Sequence, residues 1–176
     1  MIKGYLASNF FDLGGKTVTN TLATVIRNYG VELYNPIENG EINDKKNVSP
    51  TAIQIWEADI KELKQADILF LYYDGEDAGV MAEEGYFASM LENTSKKGMI
   101  IGIYSDCRQH GTGDGHHYIN LFAKGGIEKH GTLITSDNWF TIEKEIAKAI
   151  KEFKLDNKKM YWYKNNLIIL FVEKER

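Results

Sequence analysis

Six apolar or aromatic residues in unbroken succession, Ile68-Leu69-Phe70-Leu71-Tyr72-Tyr73, restrict this chain to few architectures. A strand with one wet face alternates polar and apolar residues. A strand without alternation is buried on both faces, as in a parallel sheet covered by helices. Carboxylates frame the run: Asp59 and Asp67 precede it, and Asp74, Glu76, Asp77, Glu83 and Glu84 follow, interspersed with Gly75, Gly79 and Gly85. Open α/β sheets bind ligands beyond the carboxyl ends of their strands, so Asp74, Asp77 and Glu83 are expected at a ligand crevice.

The rest of the chain alternates in the same way. Apolar strands are read at 2–7, 31–35, 99–104 and, more weakly, 132–135, and helices at 17–29, 51–65, 80–91 and 139–153, with a polar loop over 38–49. Gly30 ends the first helix and Pro50 sits at the start of the second. Strands alternating with helices imply an α/β fold with a mostly parallel, five-stranded sheet and right-handed crossovers. On helix 51–65 the apolar stripe is Ile53, Trp56, Ile60 and Leu63, with Asp59 beside it, where a carboxylate needs a partner or a chemical role. On helix 139–153, Ile142, Ile146, Ala149, Ile150 and Phe153 share one side. Glu83 is expected in the first turn of its helix, where the dipole and free N–H groups favour the ionised form that suits a nucleophile. Ordinary roles compete: Asp74 and Glu76 as turn residues, Asp77 as a helix cap, Glu83 as a surface residue favoured by the dipole.

Near the end, Met160-Tyr161-Trp162-Tyr163 and Leu167-Ile168-Ile169-Leu170-Phe171-Val172 are separated by Lys164-Asn165-Asn166, which reads as a C-terminal strand pair. Exposed, such a pair would aggregate, so 158–176 is expected to pack on its own domain or on a neighbouring subunit. With 176 residues, 43% of them hydrophobic, residues 1–176 are expected to form one domain. A net charge of −4 argues against a nucleic-acid or membrane-surface partner. Cys107 is the single cysteine and forms no internal disulfide, and neither a signal peptide nor a membrane-spanning run is seen, so a cytoplasmic location is the expectation. Gly111-Thr112-Gly113-Asp114-Gly115 lacks the Lys-Ser/Thr ending of a phosphate loop, and no G-x-G-x-x-G follows the first strand. His110, Asp114, His116 and His117 offer metal-ligand chemistry with no rigid element to hold it, so a surface loop and no metal are expected there.

Four segments, in order, resemble the nucleoside 2-deoxyribosyltransferases. Tyr5, followed by Leu6-Ala7-Ser8-Asn9-Phe10-Phe11, is similar to the family's opening strand, whose tyrosine approaches the catalytic glutamate. Asp59, eight residues before Asp67, resembles the family's aspartate on the second helix. Asp77-Ala78-Gly79 with Glu83-Glu84-Gly85 matches the D-x-G-x-x-x-E-x-G signature, whose spacing makes Glu83 the counterpart of the nucleophile. Ile119-Asn120-Leu121-Phe122 resembles [IF]-N-L-M, whose asparagine reaches a neighbouring subunit's active site. Phe122 replaces the methionine, Ser8-Asn9-Phe10 replaces a glycine-rich loop, and Gly40 stands where some members carry a base-contacting glutamine.

The resemblance implies a flavodoxin-like (Rossmann-like) three-layer sandwich and transfer of 2-deoxyribose between nucleobases of 2′-deoxynucleosides, a nucleoside-salvage reaction. It implies a covalent deoxyribosyl intermediate on Glu83, Asp59 as base-side proton donor, and Tyr5 orienting the nucleophile. Asp77, and Asn120 from a neighbouring subunit, would hold sugar hydroxyls, with Phe10 and Phe122 in the substrate pocket. No cofactor is implied, and the partners are 2′-deoxynucleosides and free purine or pyrimidine bases. A dimer-based homo-oligomer, up to a hexamer, is implied as well. Because no basic residue follows the first strand, free nucleosides are expected in preference to nucleotides. A 2′-deoxynucleoside hydrolase, a non-catalytic nucleotide-sensing module and a flavodoxin-like electron carrier are the alternative readings.

Overall fold

The computed structural model describes residues 1–44, 46–106 and 119–174, with the backbone alone from 158 onward. Strands β1 (Ile2–Ala7), β2 (Val31–Tyr34), β3 (Ile68–Tyr72), β4 (Met99–Tyr104) and β5 (Gly131–Thr135) form one sheet in the order β2-β1-β3-β4-β5. Every neighbouring pair is parallel. The helices are α1 (Leu13–Asn28), α2 (Gly40–Asn43), α3 (Ala52–Gln65), α4 (Ala78–Asn93), α5 (Leu121–His130) and α6 (Trp139–Lys174).

Side-chain alternation along the strands supplies two cores. Leu6, Ile68, Phe70, Ile101 and Ile103 pack with Leu22 and Ile26 of α1 and Ile142, Ile146 and Ile150 of α6. Tyr5, Ala7, Leu69, Leu71 and Ile100 point the other way, onto Leu63 of α3, Val80 and Phe87 of α4, and Ile127 of α5. The unbroken apolar run is therefore a central strand covered on both faces, as expected. The chain runs from β1 outward to β2 and then back across β1 to β3. That reversal places the topological switch point between β1 and β3, where a crevice opens at the strands' carboxyl ends.

Capping residues set the helix starts. Asp12 caps α1 through Gly15 N, and Thr51 with Gln54 forms a reciprocal capping box on α3. Gly30, in the left-handed conformation, ends the turn after α1. Both α1 and α4 begin a few residues earlier than the apolar periodicity predicts, since the caps and not the first apolar residue decide the boundary.

Four expectations are corrected. The terminal strand pair is absent: α6 continues unbroken to Lys174. No glycine or proline follows Phe153, and the Asn165-Asn166 pair costs a helix only a few tenths of a kcal/mol per residue. The stretch 38–49 is not wholly loop, because Pro36–Glu38 forms a 3-10 turn and Asn39 caps α2. Helix α5 had no counterpart in the sequence reading, although Asn120 as cap, Ala123 and Ile127 four apart, and Lys129-His130 before Gly131 are its signals. On α3, Leu63 is buried in the core and Ile60 packs against it, but Ile53 is 68% and Trp56 56% exposed, so only the C-terminal half of the stripe faces the core. Among the described residues no helix is long and apolar enough to cross a membrane.

Candidate active site

Tyr5 lies near the carboxyl end of β1, opposite Leu69 of β3 on one side and Tyr34 of β2 on the other. Its phenol donates to Glu83 Oε1 at 2.5 Å. Burial raises the Tyr5 pKa far above its ordinary value, with the negative charges of Glu83 and Asp59 adding to the effect, so the hydroxyl is a permanent donor.

Glu83 lies on α4 six residues beyond the cap Asp77, in the second turn and not the first. The helix end is therefore too far away to dominate its charge state. Burial pushes the carboxyl up to about 7; the Tyr5 hydrogen bond opposes that rise, while the charges of Asp59 and Asp77 add to it. The expectation of a carboxylate held ionised by the dipole is corrected accordingly.

Asp59 comes from α3 and faces the same space. Two hollows of about 220 and about 200 Å³ meet at Asp59, Gly79 and Glu83. The first is walled by Trp56, Ile60 and Tyr86, with Trp56 and Tyr86 edge-to-face at 6.0 Å. The second is walled by Phe10, Phe11, Pro36, Asn43 and Asp77. An apolar cleft with a few convergent carboxyls and aromatic walls suits a small, flat, polar ligand.

Tyr5, Asp59, Asp77, Glu83 and Phe10 are thus brought together. Asp77 also caps α4, its Oδ1 accepting from Gly79 N at 2.9 Å and Val80 N at 3.1 Å. Asn120 and Phe122 line neither hollow. Asn120 caps α5 through Phe122 N and Ala123 N, and Phe122 is 91% exposed. Asp74 does not line the hollows either; it accepts from the backbone N–H of Ser105 at 2.8 Å and hydrogen-bonds its hydroxyl, tying the ends of β3 and β4 together. Gly75 and Glu76 both adopt positive φ, 85° and 45°, and Glu76 accepts from Asn120 N at 3.3 Å. The turn reading of both acids therefore holds. His110, Asp114, His116, His117 and Cys107 lie outside the described residues. Among the described residues no group of three metal-ligating side chains is assembled.

Two polar positions escaped the sequence reading. Tyr34 donates to Asp59 Oδ1 at 3.3 Å and receives Asn39 Nδ2 at 3.0 Å; only the β1/β2 register reveals that contact. Glu84, 4% exposed, points toward α5, about 100° around the helix from Glu83, and no described residue hydrogen-bonds it. Burial alone pushes it up to about 7. It borders a groove between α4 and α5, and Gly126 leaves room for it, since a Cβ there would collide with Glu84 Oε1. A raised pKa means the folded chain keeps this proton until about pH 7, whereas the unfolded chain loses it near 4.5. Stability from Glu84 is present at low pH and falls as pH rises through that window. Glu84→Gln is expected to stabilise the fold by about 2 kcal/mol at pH 8 and by little at pH 5. Urea melts of both proteins at the two pH values check this, and equal differences at both would refute it.

Comparison with known proteins shows which family the chain belongs to. The family model "Nucleoside 2-deoxyribosyltransferase" matches residues 5–155. An uncharacterised protein of Ureaplasma parvum is 32% identical, with 77% of this chain and 89% of that one covered. A crystal structure of a protein from Enterococcus faecalis superposes with a TM-score of 0.70 at 28% identity, covering 86% of this chain and 98% of that one. The 2-deoxyribosyltransferase of Bacillus psychrosaccharolyticus shares the fold, with a TM-score of 0.54 at 23% identity over 80% of this chain and 90% of that one. With the match spanning β1 to α6 and including every residue of the cleft, the chain belongs to the nucleoside 2-deoxyribosyltransferase family.

Proposed function

We propose that this protein exchanges the nucleobase of 2′-deoxynucleosides by double displacement at the anomeric carbon, in the service of nucleoside salvage. The observation that carries the reading is the Tyr5–Glu83 hydrogen bond at 2.5 Å, set in a cleft that Asp59 shares. A Glu83 oxygen forms a bond to C1′ as the C1′–N bond breaks, and the bond's electron pair leaves with the base. A departing base is a poor anion, so the Asp59 carboxyl supplies its proton. In the second half the incoming base attacks C1′, the C1′–O bond to Glu83 breaks, and the base's N–H proton returns to Asp59. Two inversions give net retention. Tyr5 holds one Glu83 oxygen, leaving the other to attack.

In this reading Trp56, Tyr86 and Phe10 supply flat walls for the base, and Asp77, which lines the second hollow, holds a sugar hydroxyl. Asn120 and the exposed Phe122 line neither hollow, which supports their service in a neighbouring copy's site and an oligomeric enzyme.

The test is incubation with thymidine and adenine, followed by chromatography. Deoxyadenosine and thymine are expected in equal amounts. Thymine with free deoxyribose and no deoxyadenosine would instead make the protein a hydrolase.

A further inference from the structure

Asn39 occupies an unusual junction. Its side-chain oxygen accepts from Glu41 N at 3.2 Å as the cap of α2, so its amide nitrogen must point the other way, toward Tyr34 Oη at 3.0 Å. With that lone pair of Tyr34 occupied by a donor, the phenolic hydrogen is directed to Asp59 Oδ1 at 3.3 Å. The orientation of each link follows from the one before it. The chain starts at a backbone N–H fixed by a helix cap and ends on the carboxyl that shares the cleft with Glu83. Burial pushes the Tyr34 hydroxyl up to about 12, so it remains a donor across the working pH range. Its ring stacks at a tilt on Tyr5, centroids 5.3 Å apart, so the phenol has little freedom to swing away.

We propose that Tyr34 is a positioning residue for Asp59: the Asn39–Tyr34 chain fixes the rotation of the Asp59 carboxyl, and so its aim at the nitrogen of the leaving base. This rests on the reaction proposed above and adds to it a residue that touches no reacting atom. It assigns a mechanistic purpose to Asn39, the cap of the four-residue α2. A carboxyl free to rotate would still carry a proton but would deliver it in fewer encounters.

A merely structural Tyr34 and a positioning Tyr34 separate on the leaving group. The experiment measures kcat/KM for thymidine and for a 2-deoxyribosyl donor whose leaving group departs without protonation, in the parent, Tyr34→Phe, Asp59→Asn and the double variant. Tyr34→Phe keeps the ring against Tyr5 and removes only the hydroxyl. Positioning predicts a roughly tenfold loss with thymidine, little loss with the activated donor, and almost no further loss when Tyr34→Phe is added to Asp59→Asn. Equal losses on both donors, or losses that multiply in the double variant, would overturn the inference. Failure of the underlying reading shows differently: the parent would transfer from neither donor, or Glu83→Ala would transfer as well as the parent does.

Discussion

Glu83→Ala is expected to abolish base exchange, by about four orders of magnitude, while leaving the protein folded. Without the Glu83 carboxylate the proposed covalent bond to C1′ cannot form, and that loss corresponds to about 5 kcal/mol of transition-state stabilisation. The fold should tolerate the change, because ionising Glu83 above pH 7 in its buried position costs stability and alanine removes that cost. Measured exchange from thymidine to adenine, with circular dichroism as the folding control, decides the matter; a folded variant retaining a tenth of parental activity would exclude Glu83 as nucleophile. The parent's pH profile follows from the same residue. With its carboxyl raised to about 7, the free enzyme carries Glu83 mostly ionised above that pH and in a falling fraction below it. The acid limb of kcat/KM is therefore expected to climb about tenfold per pH unit below 7.

A second large effect lies far from the cleft. α5 passes directly into β5, with His130 the last helical residue and Gly131 the first of the strand. Gly131 pairs with Ile100, and a Cβ at this position would overlap the Ile100 carbonyl oxygen while lying 2.7 Å from its carbon and 2.8 Å from its nitrogen. Those are main-chain atoms of a central strand, which cannot rotate aside as a side chain could. Gly131→Ala is expected to cost about 3 kcal/mol or more and to separate β5 from β4. A denaturant midpoint unchanged from the parent would show that the strand finds another path.

The parts of the site that were legible in the sequence are those that depend on spacing within one stretch. Asp77 and Glu83 lie six residues apart on one helix, and the buried strand before them declares where the sheet's carboxyl edge is. Asp59 was legible because it sat beside an apolar stripe without an obvious reason to be there. Tyr34 and Asn39 were not, since their importance arises from the β1/β2 register and from a cap on a helix too short to show periodicity. Glu84 drew no reading of its own beside Glu83, yet helical rotation sends the two carboxyls to different surroundings. The tail misled because short aromatic and aliphatic runs fit strand and helix alike, and only length arbitrates. Here the 36-residue helix wins by continuing what α6 had begun.

Asp77 and Asn120 each start a helix, and in the proposed reaction each also holds a sugar hydroxyl. A substitution at either that is meant to alter sugar preference also uncaps a helix, at about 1 kcal/mol. Selection for new substrates at these two positions would meet the fold's own requirements first, so variants would be lost for instability before their specificity was ever sampled. Trp56 and Phe10 line the cleft and cap no helix. Evolvability in this protein is therefore concentrated on its aromatic walls, and a library built there can change what the cleft accepts without changing where it is.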